Sequence, residues 1–298
     1  MAELTEKLYN LKIESKKETS YILEEMLAAI DLFPTIWQEE DFDYACQNLY
    51  FEYASDSKIQ LEKLTTYLAE QKELWNLTES YTIKVIEIDK EDWSEVWKKY
   101  FHTKKVSNRF VIKPSWEEYD AQPGELVLAI DPGMSFGTGQ HGTTQACLQF
   151  IDDLCAEEKI ETVLDAGTGS GILSIGLGKL ELPKIVAFDY DPDAVRIAGE
   201  NLALAGVDQL VELSVSDVAD WAQEPIYDLV IANILCVVLI KNAAVLAANV
   251  KKNGWLILAG ILEEQYTELH DTFVKLGFVE VKNTQIKEWK AGLYRRQS

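Results

Sequence analysis

The segment Thr162-Val-Leu-Asp-Ala-Gly-Thr-Gly-Ser-Gly-Ile-Leu-Ser174 carries the most informative motif of this chain. An apolar run ends in Asp165, and three alternating glycines, Gly167, Gly169 and Gly171, then open a second apolar run. Glycines allow a turn to adopt positive φ and let a ligand approach the backbone closely. The segment therefore predicts a strand, a ligand-binding turn and a helix.

The sequence around this segment repeats the alternation of strand and helix. Strand-like segments lie at 161–165, 184–189, 209–214, 227–234, 254–259 and 278–283. Helical stretches between them indicate a parallel, doubly wound sheet. A last segment, Lys287–Arg295, is expected to add an antiparallel strand at the edge of that sheet.

Acidic residues follow two further strands. Asp189 ends the second strand, about twenty residues after the glycine turn, where a carboxylate typically accepts hydrogen bonds from ribose hydroxyls. Asp189 or Asp191 would also suit the N-cap of the helix that follows, because Pro192 favours a helix start. We assign the ribose to Asp189 and the cap to Asp191. Asp217, after the third strand, is predicted to face an adenine amino group.

Asn233 stands near the C-terminal end of the apolar segment Tyr227–Leu235, which is predicted to be a strand. Ligands of open α/β sheets bind at this carboxyl edge. A turn or a helix cap would explain the residue structurally. The functional interpretation is an amide oxygen that holds a nucleophilic amine in line with a methyl group.

An upstream loop, DPGMSFGTGQHGTTQ at 131–145, contains two glycine turns before a helix that begins near Thr143. The threonine hydroxyls would cap this helix or meet a ligand. His141 is expected to have a structural role. The other histidines, His102 and His270, give no metal-ligand spacing, so no metal is expected.

The first ninety residues follow a different pattern. Their apolar residues predict the order β-α-β-β-α-β, which is that of a ferredoxin-like domain over residues 1–88. A connector with a short helix is predicted at 89–109, and the α/β domain at 110–298. The first 88 residues contain 8 lysines and no arginine against 18 acidic residues, a formal balance of −10.

Composition narrows the function classes. The net charge of −22 over 298 residues argues against direct binding to nucleic acid or membrane and favours a basic partner. The four cysteines form no C-x-x-C pair, and the N-terminus lacks the apolar run of a signal peptide. The longest apolar stretch, Leu229–Ile240, is too short to span a bilayer. We expect a soluble cytoplasmic protein.

Together these motifs resemble the PrmA family of large-subunit ribosomal protein methyltransferases. D-x-G-x-G-x-G is the nucleotide loop of S-adenosylmethionine-dependent methyltransferases, and Ile172 stands where a G-x-G-x-x-G dinucleotide fingerprint needs glycine. DPGMSFGTGQHGTT is similar to the family signature D-P-G-x-x-F-G-T-G-x-H-x-T-T. AFDYDPDAV and LVIANIL match later family motifs in order. Two departures are Gly142, where the family usually has proline, and Thr168, where it often has cysteine.

The resemblance implies a seven-stranded, Rossmann-like class I methyltransferase domain preceded by the ferredoxin-like domain, which would recognise the substrate. It implies S-adenosylmethionine contacts at Thr144, Gly167, Asp189 and Asn233, with Phe136 and Thr143 nearby. The sequence adds Asp165 and Gly169 of the glycine turn and Asp217 as cofactor-binding candidates. Asn233 is also the catalytic candidate.

The implied activity is that of a protein-lysine N-methyltransferase acting on lysine and amino-terminal amines of a basic ribosomal protein, as a monomer. Three alternatives stay open: a methyltransferase of the same architecture acting on another protein, a small-molecule methyltransferase, and a cofactor-binding module without activity. An NAD-dependent oxidoreductase is disfavoured by Ile172.

Overall fold

In a computed structural model, the chain divides into two units, residues 1–100 and 101–298. The structure describes residues 7–28, 30, 32, 34–38, 43–51, 53–75, 77, 80–89, 101–131, 142–221 and 227–297. Each unit has its own sheet and its own hydrophobic core. The two units are therefore described separately.

The N-terminal unit contains, among its described residues, a four-stranded antiparallel sheet with strand order β2-β3-β1-β4. Its elements are β1 (Lys7–Lys16), α1 (Lys17–Ala28), β2 (Thr35–Gln38), β3 (Tyr44–Phe51), α2 (Ala54–Gln71) and β4 (Thr82–Asp89). The helices exist because their apolar residues recur on one face, and that face covers the sheet. Both helices pack on Leu11, Ile13 and Leu49 through Leu23, Met26, Leu27, Leu64 and Leu68.

The C-terminal unit begins with a small sheet of β5 (Lys104–Lys105), β6 (Phe110–Lys113) and β7 (Leu126–Ala129). The strands that follow are β8 (Thr162–Ala166), β9 (Lys184–Asp189), β10 (Val211–Val215), β11 (Tyr227–Asn233), β12 (Val250–Leu262), β13 (Phe278–Ile286) and β14 (Trp289–Arg296). The helices are α3 (Gly142–Glu157), α4 (Ile172–Lys179), α5 (Pro192–Ala205), α6 (Cys236–Lys241), α7 (Ala243–Asn249) and α8 (Tyr266–Lys275). None of the helices in the described ranges is long and apolar enough to cross a membrane.

The large sheet of the described chain has seven strands in the order β10-β9-β8-β11-β12-β14-β13. The first five run parallel. Successive residues of β8 enter separate apolar layers: Val163 packs in the layer with α3, α4 and α5, and Leu164 in the layer with α6, α7 and α8. Helices on both faces explain why these strands read as continuous apolar runs rather than as alternating ones.

The expectation for the C-terminal strand was wrong in one respect. β14 is antiparallel, as predicted, but it lies between β12 and β13, so β13 forms the edge. The side chains of Leu293 and Tyr294 are buried, one in each apolar layer. Most side chains of β13 are exposed beyond the buried Phe278. The more deeply buried of the two strands therefore lies inside the sheet, and the more exposed one forms its edge.

The predicted connector at 89–109 falls partly outside the described residues, which omit 90–100. Residues 101–109 belong to the C-terminal unit. Lys104–Lys105 pairs with β6, and Phe101 and Val106 are buried in that unit's core. These contacts make 101–109 part of the α/β unit rather than a free linker.

A polar cluster joins three strands at the amino-terminal edge of the parallel sheet. Asp228 accepts hydrogen bonds from the backbone nitrogens of Glu161 and Thr162, from Thr162 Oγ1 and from Lys251 Nζ, at 2.8–3.1 Å. Burial opposes ionisation of this carboxyl, but the hydrogen bonds from Lys251, Thr162 and Glu161 outweigh it and lower the pKa of Asp228. The carboxylate therefore ties β8, β11 and β12 together.

We expect Asp228→Ala to lower the free energy of unfolding by about 2 kcal/mol, because four donors lose a charged acceptor. Urea unfolding at neutral pH measures this. Asp228→Asn keeps one acceptor oxygen and should lose about half as much. Asp153→Ala, which removes an exposed pairing with Lys282, is the control and should change stability by less than about 0.5 kcal/mol. Equal effects of Asp228→Ala and Asp153→Ala would contradict the assignment.

Candidate functional site

Three polar side chains end adjacent parallel strands at the carboxyl edge of the large sheet. Asp165 is the fourth residue of β8, Asp189 the last of β9 and Asn233 the last of β11. β8 lies between β9 and β11, so the three meet at one edge. The chain reverses its strand order between β8 and β11, which is where open α/β sheets bind ligands.

The glycine turn after β8 is fixed to the neighbouring strand β9. The backbone nitrogens of Gly167 and Thr168 both donate to the carbonyl oxygen of Phe188 at 2.9 Å. Gly167 has φ of 77°, and a Cβ there would overlap Cγ2 of Ile234. Only glycine suits both conditions. The turn thus brings bare backbone to the strand ends, as the sequence predicted.

Asp165 is fully buried at the base of this turn. Its Oδ2 accepts hydrogen bonds from Thr168 Oγ1 and Ser174 Oγ, both at 2.7 Å. Its Oδ1 is buried and accepts no hydrogen bond from any residue that the structure describes. Burial raises the pKa of Asp165, opposed by the two hydroxyl donors. A buried carboxylate with one unsatisfied oxygen is suited to a cationic hydrogen-bond donor.

Asp189 is nearly buried beside the same turn. Its Oδ2 accepts from the backbone nitrogen of Gly169 at 2.9 Å, and its Oδ1 from that of Asp191 at 3.1 Å. Burial raises the pKa of Asp189, and these backbone donors oppose the rise. A carboxylate offers about four acceptor sites, so this one retains capacity for a hydroxyl donor.

Asn233 is buried and faces the start of α3. Its Nδ2 donates a long hydrogen bond of 3.5 Å to Oγ1 of Thr144, which is fully buried, and Thr143 beside it is also buried. Oδ1 of Asn233 is buried without a hydrogen-bond donor among the described residues. Leu235, not Asn233, is the N-cap of α6. The helix-cap interpretation is therefore wrong, and the amide oxygen is the group left to bind a donor.

Of the remaining residues singled out from the sequence, two cap helices and two lie outside the described residues. Asp191 caps α5 by accepting from Asp193 N at 2.9 Å, as predicted. Asp217 is exposed, and its Oδ1 accepts from Ala219 N at 2.8 Å, which caps a short 3-10 helix. Phe136 and His141 lie outside the described residues.

The two departures from the family pattern have structural partners. Thr168 supplies one of the hydroxyl donors to Asp165. Gly142 begins α3, and a Cβ there would lie 3.0 Å from Cγ2 of Ile286. The absence of a side chain at 142 therefore leaves room for Ile286.

Sequence reasoning missed the residues that support the site. Ser174 was not assigned as a donor to Asp165, and Asn201 holds the turn by donating from Nδ2 to the carbonyl oxygen of Ser170 at 2.9 Å. Ser174 lies three residues into α4, where a polar side chain in an apolar helix was the available signal. Asn201 lies on another helix and gave no local signal.

Comparisons with known proteins agree with this geometry. The family described as ribosomal protein L11 methyltransferase (PrmA) matches residues 7–297. The ribosomal protein L11 methyltransferase of Geotalea daltonii is 45% identical over 211 residues, covering 68% of this chain and 67% of that protein. The corresponding protein of Geobacter sulfurreducens is 37% identical over 269 residues, covering 90% of this chain and 87% of that protein.

A solved structure is also similar. The crystal structure of ribosomal protein L11 methylase from Lactobacillus delbrueckii subsp. bulgaricus superposes with a TM-score of 0.61 at 28% identity. The match covers 66% of this chain and 100% of that one. Since the family match spans nearly the whole sequence and one relative aligns over 90% of it, this chain belongs to the ribosomal protein L11 methyltransferase (PrmA) family.

Proposed function

We propose that this protein is an S-adenosylmethionine-dependent N-methyltransferase that methylates lysine and amino-terminal amines of a large-subunit ribosomal protein. The observation that carries the proposal is Oδ1 of Asn233. This oxygen is buried and accepts no hydrogen bond from the described residues. It lies at the carboxyl edge of the large sheet, where the glycine turn begins after β8. The proposed substrate, ribosomal protein L11, is the one that the family's name gives.

The residues at the strand ends fit this cofactor. The unsatisfied Oδ1 of Asp165 would accept from the cationic methionyl ammonium, and Asp189 from the ribose hydroxyls. Gly167 and Gly169 would let the cofactor approach the backbone. Four further residues are proposed to contact the cofactor. Asp217 would bind the adenine amino group, and the other three would lie along the cofactor: Phe136, Thr143 and Thr144.

The cofactor supplies a methyl group on a positively charged sulfonium. Asn233 Oδ1 accepts a hydrogen bond from the substrate amine, and this directs the nitrogen lone pair along the line of transfer. A protonated amine has no lone pair, so it must lose a proton first. Removal from water disfavours the charged amine and so promotes that loss. Positioning in the attack geometry supplies much of the remaining acceleration.

The N-terminal unit is proposed to be a ferredoxin-like domain over residues 1–88 that recognises the substrate. Its β-α-β-β-α-β element order and its strand order support this assignment. Its formal balance of −10 would attract a basic ribosomal protein. We further propose that the protein acts as a monomer in the cytoplasm.

Mass spectrometry of purified large-subunit ribosomal protein L11, incubated with this protein and S-adenosylmethionine, tests the function. Mass gains in steps of about 14 Da are expected, each step corresponding to one methyl group. Other basic proteins, incubated in parallel, test the choice of substrate. Methylation of those proteins but not of L11 would contradict the substrate assignment, and cofactor binding without any methylation would contradict the enzyme assignment.

Asn233→Ala should reduce kcat by about 100-fold while the cofactor Kd changes by less than about 10-fold, because the amide chiefly aims the amine and is one of several proposed cofactor contacts. Steady-state kinetics and calorimetry measure the two constants. Asn249→Ala is the matched control. Asn249 is another buried asparagine, and its Nδ2 donates to the carbonyl oxygen of Val245 within α7. Unchanged turnover in Asn233→Ala would remove this residue from the mechanism.

Asp189→Ala should raise the cofactor Kd by about 30-fold or more, because charge-assisted hydrogen bonding to the ribose is lost. Isothermal calorimetry gives the value. Asp191→Ala serves as the control: it removes the cap of α5 and should cost about 1 kcal/mol of stability with little change in Kd. A similar Kd for both variants would exclude Asp189 from the ribose site.

A further inference from the structure

Gly260 lies against the backbone of Ile234, the residue that follows Asn233. A Cβ at position 260 would overlap the carbonyl oxygen of Ile234, and would lie 2.8 Å from its carbonyl carbon and 3.1 Å from its nitrogen. Gly260 also has φ of 83°, a conformation that residues with side chains rarely adopt. The position thus excludes a side chain on both steric and conformational grounds.

The pairing of β12 with β11 explains this approach. Asn233 pairs with Ala259, so Gly260 is the next residue of β12 beside Ile234. The register of β12 against β14 shifts between Leu258 and Ile261, which indicates a bulge at Gly260. A glycine inside a bulged strand commonly marks a close approach of another backbone.

Ile234 is confined from a second side by a contact of a different kind. A Cβ at Gly167 would overlap the side-chain atom Cγ2 of Ile234, whereas one at Gly260 would overlap the Ile234 backbone. A smaller side chain at position 234 would remove the overlap with a Cβ at 167. It would not remove the overlap of a Cβ at 260 with the Ile234 backbone. Any group added at 260 must therefore displace the backbone of Ile234, chiefly at its carbonyl group, and Ile234 is bonded directly to Asn233.

We propose that Gly260 is a positioning residue for methyl transfer: its bare backbone seats the Ile234 peptide and thereby fixes the direction of the Asn233 amide oxygen. This inference rests on the proposed function of Asn233. Gly260 lies on β12, on the other side of β11 from Asp165 and Asp189. We therefore expect its main effect to be on the aim of the amine, because the Ile234 backbone continues directly from Asn233.

The first test compares Gly260→Ala with Gly277→Ala. Gly277 has φ of 88°, so both variants carry a similar backbone penalty, but a Cβ at 277 meets no atom of the described chain within 4 Å. Gly260→Ala should lower kcat on the ribosomal protein by about 30-fold, with cofactor Kd within about 3-fold of the unmodified protein. Gly277→Ala should leave both constants unchanged. Equal kcat in the two variants would overturn the proposal.

Two further variants separate positioning from general damage. Asparagine tolerates positive φ better than alanine, so Gly260→Asn keeps the added Cβ with less backbone strain, and it should show the same loss of kcat. Adding Ile234→Ala to Gly260→Ala should restore nothing, since the overlap is with backbone. Rescue by that double change, or unfolding of both variants at 260 while Gly277→Ala folds, would refute the proposal.

An NMR measurement tests the inference independently of activity. The side-chain NH₂ signals of Asn233 in ¹⁵N-labelled protein are identified by their loss in Asn233→Ala. They should shift in Gly260→Ala and not in Gly277→Ala. If the unmodified protein methylates no ribosomal protein, the proposed function fails, whereas unshifted Asn233 signals in Gly260→Ala refute the positioning role alone.

Discussion

Burial of the central strands on both faces is the constraint on which the site depends. β8, β9 and β11 are covered by helices above and below, so their interior positions carry apolar side chains. Polar groups enter this layer chiefly where a strand ends. Asp165, Asp189 and Asn233 are therefore grouped by the same packing that holds the sheet together, and the geometry of the site follows from the strand register.

This constraint explains how much of the molecule could be predicted from its sequence. An apolar run with a polar residue at its tip is a local pattern, and it located all three strand-end residues and the turn between them. The N-cap role of Asp191 was also predictable, because a cap and the proline after it are neighbours in the chain. The sequence was sufficient to predict a residue's position or role wherever that role depends on neighbours within the same strand, turn or helix.

Non-local contacts escaped the same reasoning. The position of β14 between β12 and β13 depends on which strand buries more apolar surface, and that is settled by tertiary packing. The contact of Gly260 with Ile234 joins two strands that are distant in sequence. An isolated glycine inside an apolar strand pattern at 260 was a visible signal of close approach, but its partner was not. The support of Asp165 by Thr168 and Ser174 likewise required the turn geometry.

The buried carboxyl of Asp165 has a thermodynamic consequence for any cation that binds beside it. Burial raises the pKa of this carboxyl more than the hydrogen bonds from Thr168 and Ser174 lower it, so it takes up a proton more readily than a carboxyl in solvent. A cationic ligand favours the ionised form, so its binding lowers the pKa of this carboxyl. Ligand binding and protonation of Asp165 therefore oppose each other. In the pH range where this carboxyl titrates, the heat of binding includes the heat with which the surrounding buffer accepts the released proton.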